Sequence, residues 1–210
     1  MPNHVTTILT ARKEIIDHLY VDEHLDFNSV IPMPDDEAPV FTATKTDYGF
    51  GVGYSMDGYS PMDWARGNWG TKWNAYDVER LSDTEVQFDT AWSHPDPVIV
   101  ALSNHFPGEE LYIKYADEDI GSNLGEYYMI SGTLVQETVF DTEDAALDFA
   151  AHIKYGKSYA EVKAEWDAEE HDWAAKNNDP CYCSECDTPQ LESNETKQIE
   201  ESLIPTNLMP

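Results

Sequence analysis

Basic residues are scarce: 12 Lys and Arg stand against 41 Asp and Glu in 210 residues, a formal net charge of −29. The deficit runs through the chain, with 6 cations to 17 acids over residues 1–105 and 6 to 24 over 106–210. A field of that sign repels phosphate backbones and anionic membranes and attracts basic proteins. Direct nucleic-acid binding is not expected, whereas a partner protein with a basic surface is. Solubility alone, or a host living in high salt, would also account for the charge. No stretch approaches 18 apolar residues, so no membrane span is expected. The start, MPNHVTTILT, has no basic region ahead of an apolar run, and no secretory leader is read there. Cysteine is nearly missing: Cys181, Cys183 and Cys186 lie within six residues and cannot form a disulfide framework. A cytoplasmic protein is the economical expectation.

Catalytic patterns are missing too. The seven histidines include no pair at i, i+4, no nucleophile elbow is written, and 41 acids make close carboxylate pairs uninformative. Gly49-Phe-Gly-Val-Gly53 is followed by no Lys-Ser or Lys-Thr and opens no helix, so it is not a phosphate loop. A non-enzymatic protein is expected. An enzyme or small-ligand binder, with its pocket between an insertion and the sheet, remains as an alternative.

What is present has clear periodicity. His4–Thr10 alternates as a strand and runs into a helix over 11–20, in which Ile15, Ile16, Leu19 and Tyr20 recur at helical spacing. The following stretch, through three prolines and an acidic run, predicts a long excursion with little regular structure. Residues 73–81 and 85–92 read as a hairpin around Ser82-Asp83-Thr84. Asp96 is the expected N-cap of a helix with Pro97 in its first turn and Val98, Ile99, Leu102 and Phe106 on its apolar face. Residues 111–116 form a further strand, and 125–135 add one or two edge strands. The order β-α-β-β-α-β predicts an α+β ferredoxin-like sandwich over residues 1–138, with an insertion at about 33–64. Residues 139–177 then read as a helical appendage, its first helix capped by Asp141 or Thr142, and 178–210 as an acidic, mostly disordered tail.

Several short motifs, MPNHVTTILT, FNSVIPMP, NWGTKWNA, VQFDTAWSHPDPVIVALSNHFPG and LYIKYADE, occur in that order. Their succession over roughly residues 1–135 resembles the YubB-like ferredoxin-like family of bacteriophages and plasmids. The resemblance implies a ferredoxin-like fold, a mobile-element origin and hence a bacterial host cell, and carries no catalytic residue. Ser93-His94-Pro95 departs from the family's Ser-Pro-Pro turn.

Three sets of residues are candidates for function. Glu161, Glu165, Asp167, Glu169, Glu170 and Asp172 gather along one side of a helix and form the expected partner-binding surface, replacing phosphates in a basic groove of a host defence protein. The rival is a structural or regulatory interaction module in which acidity only solubilises. Trp69, Lys72 and Trp73 sit in RGNWGTKWNAY, a stretch that reads either as a stacking platform or as an aromatic anchor with Lys72 over a ring; packing is favoured. Cys181, Cys183 and Cys186 offer three thiolates for one zinc ion, with His171 or Asp187 to complete a tetrahedron; free thiols are the simpler reading. The oligomeric state is not written in the sequence.

Overall fold

The computed structural model describes residues 3–34, 42–46, 49–55 (backbone only), 61–177, 179–184 and 186. In chain order the elements are β1 (His4–Thr10), α1 (Lys13–His18), β2 (Tyr20–Val21), β3 (His24–Leu25), β4 (Thr42–Thr46), β5 (Gly49–Ser55), α2 (Pro61–Asn68), β6 (Tyr76–Ser82), β7 (Glu85–Ala91), α3 (Asp96–His105), β8 (Glu110–Asp117), β9 (Gly125–Ile130), β10 (Thr133–Glu137), α4 (Glu143–Tyr155) and α5 (Tyr159–Asn177). A 3-10 turn at Phe27–Ser29 follows β3. The chain divides into two compact units, Met1–Tyr159 and Ala160–Pro210.

The first unit is ferredoxin-like. Its sheet runs β10-β9-β8-β1-β7-β6, and the last four strands of that order, β8-β1-β7-β6, are the fourth, first, third and second of a βαββαβ unit, all antiparallel to their neighbours. β1 is central because both its edges are paired: Thr7 lies opposite Phe88 on one side and Tyr115 on the other. Side chains alternate across a strand, so Leu9 joins Ile15, Ile16, Phe88, Val98, Ile99, Leu102 and Ile113 in the main core under α1 and α3. Ile8 points to the opposite face, where Ala116, Ala150 and Ile153 pack. That second face is covered by α4, whose Lys154 ammonium donates to the Thr6 hydroxyl at 2.8 Å and the His4 carbonyl at 3.1 Å.

Several boundaries differ from the sequence expectation. α4, assigned from its helical texture to an appendage, lies inside the first unit, because an exposed apolar sheet face needs a cover and Ala150 and Ile153 supply it. Its cap is Thr142, whose hydroxyl accepts from the Ala145 N–H, and Gly156 ends it at φ +66°. The insertion has more regular structure than its composition suggests: β4 and β5 form an antiparallel hairpin, which puts Gly49–Gly53 in a strand, and α2 follows it. The cap of α3 is Pro95, with Asp96 as its first residue. Of the tail expected over 178–210, residues 179–184 and 186 are described; 178, 185 and 187–210, with 35–41, 47–48 and 56–60 of the insertion, lie outside the described residues.

Candidate metal centre and acidic helix

α5 presents Asp167, Glu170 and His171 on one face, since residues three and four apart stack along a helix. The chain then turns back, and alternate residues of 181–184 take alternate roles. The Tyr182 N–H donates to Glu170 Oε1 at 3.1 Å, and the Ser184 N–H donates to Asp167 Oδ1 at 3.3 Å while its hydroxyl donates to Asp167 Oδ2. Lys163 also donates to Asp167 Oδ2, at 3.0 Å. The Ser184 hydroxyl, then Lys163, hold the Asp167 carboxyl below its ordinary range. Between these clips the cysteines face His171.

His171 Nδ1 lies 3.0 Å from Cys183 Sγ, 3.2 Å from Cys181 Sγ and 3.8 Å from Cys186 Sγ, and one ligand atom from each of the four residues falls within 4.8 Å of every other. A turn from the Cys183 carbonyl to the Cys186 N–H, 3.1 Å, folds the last thiol back toward the other two. The Cys181 thiol beside it, followed by desolvation and the Cys183 thiol, pushes the Cys186 thiol up to about 12. This set can bind a metal. His171 is the fourth donor; Asp187 lies outside the described residues.

The six carboxylates proposed from the sequence do not form one uniform surface. Asp167 and Glu170 hold the 182–184 segment, and Asp172 pairs with Lys176. Glu161, Glu165 and Glu169 are exposed along the helix. Beside the cluster runs a groove lined by Ala164, Ala168, Ala175, Lys163, Asp167 and Asp172.

In the first unit, the motifs quoted for the family resemblance meet in space. The Trp69 indole is buried and donates to the Ile31 carbonyl at 2.9 Å, with Phe27 edge-on at 5.7 Å. Asn74 accepts from the Phe27 N–H at 3.0 Å and donates to Asp26 at 2.7 Å. Gly70 adopts φ +80° and lies so close to Pro97 that an added Cβ would stand 2.8 Å from its Cδ, while Ser93 Oγ donates to the Gly70 carbonyl at 2.6 Å. FNSVIP, NWGTKWNA and TAWSHPDP thus make one junction. Trp73 differs from the anchor expected of it: it is 41% exposed, and Lys72 Nζ stands 4.6 Å from its ring and 4.3 Å from that of Trp92, itself 42% exposed. Arg66 lies 5.5 Å over the Trp92 ring. Trp69 alone of the two predicted indoles is core.

Sequence reasoning missed His94. It is buried, with Nδ1 2.9 Å from the Thr7 hydroxyl and Nε2 2.9 Å from the Tyr127 hydroxyl, and Tyr127 donates to Asp96 at 3.4 Å. Desolvation lowers its pKa to about 3, so the imidazole is neutral. Ser-His-Pro has no periodicity to mark a core residue. With both nitrogens committed to side chains of the fold, this network reads as structural.

Among the described residues no helix is long and apolar enough to cross a membrane. Residues 68–157 match the family model described as a ferredoxin-like domain in Api92-like protein. The match starts at the end of α2 and runs past α4, which agrees with α4 covering the sheet. No curated protein and no solved structure matches the chain significantly.

Proposed function

We propose that the protein is a non-enzymatic interaction protein that docks its acidic C-terminal unit onto a basic surface of a partner protein. The observation that carries this reading is the groove along α5, lined by Ala164, Ala168 and Ala175 together with Asp167 and Asp172. Lysine and arginine bury their aliphatic stems against apolar surface and keep their charged heads in contact with acids, so such a groove suits a basic segment. Residues 160–186 hold eight acids and two lysines, which steers a basic partner toward it. Zinc at the His/Cys cluster, the metal favoured by sulfur-rich donors, holds the unit in shape.

The resemblance to the YubB-like family supports a bacteriophage or plasmid setting. There, a host defence protein that grips nucleic acid in a basic groove is a fitting partner, and the carboxylates compete with phosphates for it. The test is competition: the partner captured from bacterial lysate is loaded with labelled nucleic acid, and adding the chain releases the label. A captured partner that keeps its nucleic acid removes the competitive mechanism.

One observation favours a second reading, an interaction module that uses an aromatic surface: Trp73 and Trp92 stand exposed on either side of Lys72. Capture abolished by Trp73→Ala and Trp92→Ala, yet kept when the α5 carboxylates are neutralised, selects this reading instead.

A further inference from the structure

We infer that His171 Nδ1 and the thiolates of Cys181, Cys183 and Cys186 form a closed, tetrahedral zinc(II) site that seats residues 181–184 and Cys186 on α5. Four distances decide the geometry. Zinc bound tetrahedrally to sulfur at 2.3 Å and nitrogen at 2.0–2.1 Å places those atoms about 3.5 Å apart along each nitrogen–sulfur edge. The three edges from His171 Nδ1 are 3.0, 3.2 and 3.8 Å and bracket that value, so Nδ1 reaches all three sulfurs; Nε2, at 3.9 Å from Cys186 Sγ, is no better placed for that thiol. The cluster is therefore shaped for a central cation held through Nδ1.

The donors select the ion. Three soft sulfurs and an imidazole suit zinc and do not suit magnesium or calcium, which take oxygen. Four protein ligands fill a tetrahedron and leave no position for water or substrate, so the site is structural.

The alternation along the segment explains why a metal is needed. Cys181 and Cys183 face His171, while Tyr182 and Ser184, the residue after each, are clipped to Glu170 and Asp167. Two carboxylate clips at an exposed helix face compete with water and are weak on their own. Metal ligation supplies folding free energy to segments too short to bury a core. The Cys183–Cys186 turn brings the third thiol in, and loading releases the thiol protons to solvent as the thiolates bind. Cys183 and Ser184 also line the groove along α5, so zinc completes that groove; this last step alone rests on the docking proposal.

The experiment uses the full chain, reduced and metal-free. Titration with cobalt(II) is expected to give the intense visible bands of a tetrahedral thiolate site, saturating at one ion per chain and displaced by zinc. Cys183→Ser and His171→Asn should each weaken binding at least about 10-fold, while Glu79→Gln, exposed on β6 and outside the ligand set, leaves it unchanged. Zinc should also slow alkylation of all three thiols together. Weak octahedral cobalt bands, binding indifferent to Cys183→Ser and His171→Asn, or alkylation equally fast with and without zinc would each overturn the site. Zinc bound as described, with partner capture unaffected by neutralising α5, would keep the site and remove only the docking proposal.

Discussion

His94 lies flat against Tyr115, the two ring centroids 4.2 Å apart and their planes within 12°. The imidazole is buried between the Thr7 and Tyr127 hydroxyls, and desolvation keeps it neutral down to about pH 3. In the unfolded chain a histidine takes up a proton near 6.5. Between those values only the unfolded state is protonated, so the contribution of His94 is fully present above pH 6.5 and is lost as pH falls toward 3. Comparing urea unfolding of the wild type and His94→Gln at pH 6.5 and 4.5, the wild type should lose about 2–3 kcal/mol more than the variant. Parallel losses would mean that His94 titrates normally in the folded protein. Should His94→Gln not fold, the wild-type ring resonances followed by NMR should not shift over the same range.

The two neighbouring tryptophans of NWGTKW should respond oppositely to truncation. Trp69 is 3% exposed and bonded to the Ile31 carbonyl, so Trp69→Ala should destabilise by about 3–5 kcal/mol. Trp73→Ala removes a half-exposed ring and one of the two indole contacts of Lys72, and should cost about 1 kcal/mol or less. Thermal unfolding of both variants decides, and equal losses would place Trp73 in the core.

How far this pattern was legible from sequence depended on whether it was local. β1, β7 and α3 announce themselves by period, and with the helix after β1 and the strands before β7 and after α3 they give the β-α-β-β-α-β order of the ferredoxin-like sheet. The β4–β5 hairpin did not: Phe50, Val52 and Tyr54 alternate along β5, but the glycines between them weaken strand propensity and read as loop. α4 read as an appendage because its small apolar face gives no sign of which surface it covers. The Cys181, Cys183 and Cys186 spacing showed three donors, but choosing His171 required the turn after α5. Asp167 and Glu170 looked like free surface charge until Ser184 and Tyr182 were placed against them.

Gly70 tests the junction between motifs. Alanine there meets a left-handed backbone at φ +80° and a Cβ 2.8 Å from Pro97 Cδ, a rigid ring atom. Gly70→Ala should destabilise by about 1–3 kcal/mol. Gly67→Ala, where the added Cβ meets nothing within 4 Å, should be neutral or slightly stabilising because it lies in α2. Chemical denaturation of both separates backbone strain from a general intolerance of this stretch.

The clips make a separable prediction for the C-terminal unit. Asp167→Asn weakens the acceptor of the Ser184 N–H and hydroxyl and the pairing with Lys163, yet leaves all four metal donors intact. Hydrogen exchange at Ser184 should accelerate while zinc stoichiometry stays at one per chain. Loss of zinc together with the clip would mean that the carboxylates, rather than the metal, build the site.

The measurement that tests the central claim most directly is the ionic-strength dependence of partner capture. The full-length chain and a variant carrying Glu161→Gln, Glu165→Gln, Glu169→Gln and Asp172→Asn, which spares the Asp167 and Glu170 clips, are immobilised against bacterial lysate. Docking through the acidic unit predicts a partner whose retention by the wild type falls steeply between about 50 and 200 mM salt, and which the variant fails to hold. A partner retained equally at both salt concentrations, and equally by both chains, would contradict it.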